Sequence, residues 1–135
     1  MQTLTFPGKF SSLEKISDLI VQSAQTAGLD SNAIYAVQLA VDEACSNIIE
    51  HAYRGEGNGD IEVSTQVTEA GLKVIIRDFG APFNPGKIPT PNLNVPLEKL
   101  EPRGVGLYLM RKMMDEVNFE FTPGTGNVLT MVKKK

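Results

Sequence analysis

Three short stretches of this sequence carry residue types that could do chemistry together. Glu43, Asn47 and His51 stand at i, i+4 and i+8, which at 3.6 residues per turn strings them along one slowly drifting helical stripe. Asn is slightly unfavourable inside a helix, and a carboxylate flanked by Val41, Ala44 and Cys45 loses hydration unless it gains a partner. As a pair they are useful: Asn47 offers the neutral oxygen that Mg²⁺ accepts, and Glu43 can orient a nucleophilic hydroxyl. Taken alone, the spacing more often marks an ordinary solvated helix face. Asp78-Phe79-Gly80 comes directly after an apolar run, so Asp78 sits where a sheet ends and a pocket can begin. A buried carboxylate there accepts a hydrogen bond from an exocyclic amine such as that of adenine. A carbonyl in the same place would set acceptor against acceptor. Gly80 would let a ring approach the backbone closely, although a turn Asp capping its own backbone fits equally well. In Arg103-Gly104-Val105-Gly106-Leu107, glycines at a helix start expose N–H groups to an anion, and Arg103 adds a charge-assisted contact to phosphate. The Walker lysine is missing and no strand precedes this stretch, so neither a P-loop nor a dinucleotide fingerprint applies. By itself such a junction is more often a hinge.

The elements that must position these residues follow from periodicity. Gln2–Phe6 alternates as a short strand, and Pro7-Gly8 punctuates it. Ser11 and Glu14 suit a capping box for a first helix, whose apolar stripe runs Leu13, Ile16, Leu19, Ile20, Ala24 and Ala27, with Gly28 as its stop. A second helix starts at a cap near Asp30 or Ser31 and runs to about Tyr53. Ile61, Val63 and Val67 then alternate at a period of two, Glu69-Ala70-Gly71 turns the chain, and Leu72–Ile76 is a central covered strand. Gly80 to Pro102 holds six of the eight prolines and no period. So long an irregular segment in a compact domain is expected to work as a lid or binding loop. Gly104 opens a third helix to about Val117, and strands Asn118–Thr122 and Val128–Val132 close the chain around Pro123-Gly124-Thr125-Gly126. Met110, Met113 and Met114 follow the apolar period of this helix and read as core. The order predicts one α+β domain over 1–135, a two-layer sandwich with a mixed, mainly antiparallel sheet and helices on one face.

Bulk properties narrow the function. At 135 residues with 41% hydrophobic and 21% charged residues, the chain has the size and composition of one globular core. It lacks an apolar run long enough to span a membrane and a secretory-type start, so a cytoplasmic location is expected. One cysteine, Cys45, and one histidine, His51, leave no zinc cluster. A net charge of −3 gives no field to attract nucleic acid or an anionic membrane.

Together and in this order, the three stretches resemble the GHKL ATPase superfamily of gyrase, Hsp90, histidine kinases and MutL. Within it, Asp42 to Tyr53, Asp78 to Pro85 and Arg103 to Met110 look like the anti-sigma factor serine/threonine kinases of bacterial partner switching. The resemblance covers nearly the whole chain. It implies the Bergerat-type ATP-binding fold, with Asn47 ligating Mg²⁺ between ATP phosphates, Glu43 as catalytic base, Asp78 reading adenine, and the loop of about 82–103 as a lid. It further implies nucleotide contacts at Gly80, Gly104, Val105, Gly106 and Leu107, and Arg103 as the residue stabilising the γ-phosphate. Thr130 in the last strand is placed near the adenine pocket. The implied partners are a small anti-anti-sigma (STAS-domain) protein phosphorylated on serine or threonine, a sigma factor, and a second copy of the chain. Two departures stand out: Pro82 replaces a glycine of the broader superfamily, and the lid is rich in proline and poor in glycine.

Two functions fit these expectations, an ATP-dependent protein kinase that also binds a sigma factor and a regulatory module that uses ATP only to set its shape. Retention of both Glu43 and Asn47 favours the kinase. The ATP-binding half of a sensor histidine kinase is disfavoured, because no phosphoacceptor-histidine helix pair precedes the motifs.

Overall fold

The computed structural model describes residues 1–100 and 102–135. Its elements are strand β1 (Gln2–Pro7), helices α1 (Leu13–Thr26) and α2 (Ser31–Asn47), strands β2 (Asp60–Val67) and β3 (Gly71–Asp78), helix α3 (Pro102–Met113), and strands β4 (Glu116–Thr122) and β5 (Gly126–Lys134). The five strands form one sheet in the order β1-β2-β3-β5-β4, and the helices cover one of its faces, giving the α+β two-layer fold.

Each helix carries its own stop and start. α1 ends in a Schellman motif: the Leu29 N–H donates to the Ala24 carbonyl at 3.1 Å and the Gly28 N–H to that of Gln25 at 3.0 Å. This geometry needs the left-handed conformation that Gly28 adopts at φ 81°. α2 starts where the Asp30 carboxylate accepts the Ala33 N–H at 2.8 Å. The expected capping box at Ser11 does not form. A 3-10 turn over Phe10–Ser12 precedes α1, and the Ser12 hydroxyl donates to the Pro7 carbonyl, tying the helix entry to β1 instead.

The core lies between the helices and the sheet. Ile16, Leu19, Ile20 and Ala24 of α1 and Val37, Ala40, Val41 and Ala44 of α2 pack over Ile61, Val63, Val74, Ile76, Leu129 and Met131. These are the positions expected from the 3.6 and 2.0 periods. Met110 and Met114 join the same cluster. Cys45 is fully buried there; desolvation first, then the nearby Asp42 and Asp78 charges, push its thiol up to about 12, so it stays an inert apolar filler.

The sheet is antiparallel at every pairing, in keeping with the mainly antiparallel sheet expected and without the parallel pair that a mixed one would hold. The crossover through α3 brings β4 back in the same direction as β3, but β5 lies between them and pairs antiparallel with both, so no two neighbouring strands are parallel. β3 is therefore the middle strand, bonded to β2 on one side and β5 on the other.

Candidate functional site

The site is assembled where β3, the end of α2, the loop after β3 and the start of α3 meet. Asp78 is the last residue of β3 and only 3% exposed. Its Oδ1 accepts the Gly80 N–H at 2.9 Å and the side-chain amide of Asn127 at 2.9 Å. Both bonds fall on one oxygen, leaving Oδ2 without a donor among the described residues. Burial raises the Asp78 pKa, and the Asn127 and Gly80 bonds counter part of that rise.

Asn127, the register partner of Asp78 on β5, is the hub that sequence reasoning missed. Its Nδ2 also donates to the Ala81 carbonyl at 2.9 Å, and its Oδ1 accepts the Phe83 N–H at 2.8 Å. One buried side chain thus joins the carboxylate to the root of the following loop. The available signal was a lone polar residue in phase with Leu129 and Met131, which face the helices. Thr130 is out of that phase: it pairs with Ile75 and Asn118 on the opposite face of the sheet and does not approach the pocket.

α2 does not continue as an α-helix to Tyr53. After Asn47 it widens into a π-turn over Ile48–Ala52, closed by the Tyr53 N–H donating to the Ile48 carbonyl at 2.9 Å. Such widened turns re-aim side chains at functional sites. Here it delivers the Ala52 carbonyl to the Ala81 N–H at 2.9 Å. This contact also explains Gly80, because a Cβ there would collide with the Ala52 backbone. The Tyr53 hydroxyl adds a further tie, accepting the Phe79 N–H at 2.9 Å and donating to the Asp60 carbonyl.

α3 starts at Pro102, two residues before Gly104. Proline suits a first helical position because it needs no hydrogen bond for its nitrogen. Gly104, Val105 and Gly106 therefore lie within the first turns, and the expected helix end near Val117 falls inside β4. Gly106 has a specific neighbour: a Cβ there would overlap the Glu43 carboxylate. Glu43 consequently lies in the seam between α2 and α3. Burial, the largest cause, raises its pKa; the nearby Asn47 side chain acts downward and the Glu50 charge upward.

Between these walls is a cavity of about 250 Å³. Asn47, Ile48 and His51 line it from α2 and the π-turn, Asp78, Phe119 and Asn127 from the sheet, Ala81, Pro82 and Phe83 from the loop, and Arg103, Leu107 and Met110 from α3. Apolar walls with a few convergent polar groups suit a small-molecule site. Of the residues expected at the site, Asn47, Asp78, Arg103 and Leu107 line this cavity. Glu43 sits one turn from Asn47 against Gly106, while Gly80, Gly104, Val105 and Gly106 are not among the residues lining the cavity. The expected lid contains short 3-10 turns at Pro85–Lys87 and Leu97–Lys99; Glu101, within the expected 82–103 span, lies outside the described residues.

Residues 6–133 match the family model of the histidine kinase-like ATPase domain. The chain belongs to the histidine kinase-like ATPase domain family. Among curated members, the serine-protein kinase RsbW of Listeria innocua is 31% identical over 134 residues, spanning 95% of this chain and 84% of that protein. RsbW of Bacillus mycoides is 33% identical over 98 residues, spanning 70% of this chain and 61% of that protein. The same ATPase-domain fold occurs in the histidine kinase domain of the Erythrobacter litoralis EL346 blue-light activated histidine kinase, with a TM-score of 0.51 at 18% identity, covering 93% of this chain and 60% of that one. No helix among the described residues of this family member is long and apolar enough to cross a membrane.

Proposed function

We propose that this chain is an ATP-dependent protein serine/threonine kinase that phosphorylates a small anti-anti-sigma (STAS-domain) partner and also sequesters a sigma factor, acting in the cytoplasm as a homodimer. The observation that carries the proposal is the single cavity shared by Asp78, Asn47 and Arg103, which offers one group each for a base, a phosphate-bound cation and a phosphate. Likeness to the RsbW kinases supports the substrate class.

The residues fit ATP. The free Oδ2 of the buried Asp78 is an acceptor suited to an exocyclic amine, and the apolar walls of Ile48, Leu107 and Met110 suit a ring. They also fit Mg²⁺ that arrives with phosphates. No acidic or histidine cluster among the described residues could hold a metal unaided, whereas Mg²⁺ commonly takes one protein oxygen beside phosphates and waters, and Asn47 supplies it. Bound there, the ion would neutralise phosphate charge.

Phosphoryl transfer asks the protein chiefly for positioning and electrostatics. The partner's hydroxyl oxygen bonds to the γ-phosphorus, the bond from that phosphorus to the β-phosphate oxygen breaks, and ADP leaves. Glu43 orients the hydroxyl and takes its proton late, and its raised pKa brings it closer to the working range of a general base. Arg103 offsets charge on the transferred group. The second reading, an ATP-binding regulatory module without transfer, is favoured by one observation: Glu43 rests on Gly106 rather than on the cavity wall.

Incubation with labelled ATP, Mg²⁺ and the anti-anti-sigma protein encoded nearby separates the two. Label on a serine or threonine of that protein is the expected result. Measurable ATP affinity without transfer overturns the kinase in favour of the regulatory module.

A further inference from the structure

Phe83 belongs to none of the groups given a role above, yet three contacts fix it. Its backbone N–H donates to Asn127 Oδ1 at 2.8 Å. Its ring packs against Phe119 of β4, centroids 4.7 Å apart and planes tilted by 48°. On that ring stands the Arg103 guanidinium, its carbon 4.9 Å from the centroid. All four side chains line the cavity.

A guanidinium over an aromatic face is attracted by the ring quadrupole without giving up an N–H donor. The Nε of Arg103 is buried and has no hydrogen-bond partner among the described residues. The ring therefore holds the cation by a face, and its donors stay available to an anion. Unsupported, a long arginine would have to lose several rotatable bonds of freedom on each binding event.

We propose that Phe83 is a positioning residue for Arg103: clamped at its backbone by Asn127 and at its ring by Phe119, it pre-sets the guanidinium at the cavity wall for the terminal phosphates of the nucleotide. The inference rests on Arg103 being a phosphate contact. It couples the two ends of the loop, since Phe83 stands at its beginning and Arg103 just past its close. It also links the base-reading pair to the phosphate-reading cation through one residue.

Titration calorimetry of the intact chain with ATP, ADP and AMP in Mg²⁺ tests it, with circular dichroism as a check on folding. Arg103→Met should lower ATP affinity about 10-fold, the scale of a charge-assisted contact, with AMP unchanged. Phe83→Leu should lower ATP affinity about 3- to 10-fold and spare AMP. Phe83→Tyr should restore ATP affinity, and Phe83→Leu added to Arg103→Met should cost nothing more. If Arg103→Met is selective for ATP while Phe83→Leu is silent, or weakens AMP equally, the role of Phe83 is overturned and Arg103 stands. If Arg103→Met leaves ATP affinity unchanged, the phosphate assignment of Arg103 is lost, and this inference with it.

Discussion

The carboxylate of Glu43 lies directly against the backbone of Gly106, in the space that any side chain on that face of α3 would fill. The proposed base is therefore held by a missing methyl group. Gly106→Ala would push the carboxylate aside by rotation of a flexible side chain. Helix propensity favours the alanine by about 1 kcal/mol, so thermal stability should change little. A displaced base is expected to slow phosphotransfer about 100-fold, read by single-turnover transfer beside a thermal melt. Undiminished transfer would separate Gly106 from the positioning of Glu43.

Glu43 itself should show in a pH profile. Its pKa lies above the ordinary 4.5, and only the ionised form can accept a proton. Transfer should therefore fall as the pH drops through a value above 4.5, while Glu43→Gln transfers about 100-fold or more slowly with no such limb and keeps its ATP affinity. An unchanged rate in Glu43→Gln would remove the base assignment.

Asp78→Asn replaces the free acceptor by an amide and should weaken ATP binding about 10- to 100-fold, measured by calorimetry. It should also alter the pH dependence of folding. A carboxyl whose folded pKa is raised binds its proton more tightly when folded, so its stabilising share is complete below the unfolded value of about 3.8 and is lost as pH rises through the folded value. Denaturant titrations from pH 4 upward should thus favour Asp78→Asn progressively over the natural chain. Parallel stability curves would contradict the burial-driven shift.

Asn127→Ala would strip one partner each from Asp78, Ala81 and Phe83. A loss of about 2 kcal/mol in unfolding free energy is expected, together with weaker ATP binding. Unchanged urea midpoints would show that water replaces the amide at no cost.

Much of this was legible in residue spacing. Apolar periods located the core faces of all three helices, and Asp30 and Gly28 act as the cap and stop their side chains suggest. Asn47 and Asp78 do share a cavity. What escaped was whatever depends on partners distant in sequence. Asn127 and Thr130 differ by three residues, so they lie on opposite sheet faces, and only the pairing of Asp78 with Asn127 chooses between them. The π-turn after Asn47 has no local signature, since it is set by the loop it must meet at Ala81. The cap expected at Ser11 gave way to the 3-10 turn over Phe10–Ser12, where the Ser12 hydroxyl donates back to the Pro7 carbonyl.

The central place of β3 also sets a hierarchy of opening. Its backbone is bonded on both sides, so its amides should exchange with solvent only when the whole sheet comes apart. The loop after Phe83 makes its own backbone bonds over short spans, as from Lys87 to Asn84 and Lys99 to Pro96. It can therefore open and reclose without disturbing the strand that carries Asp78. Amide-exchange protection should fall steeply from Ile76 to the residues beyond Asn84, and a nucleotide should slow exchange chiefly on the far side of that step.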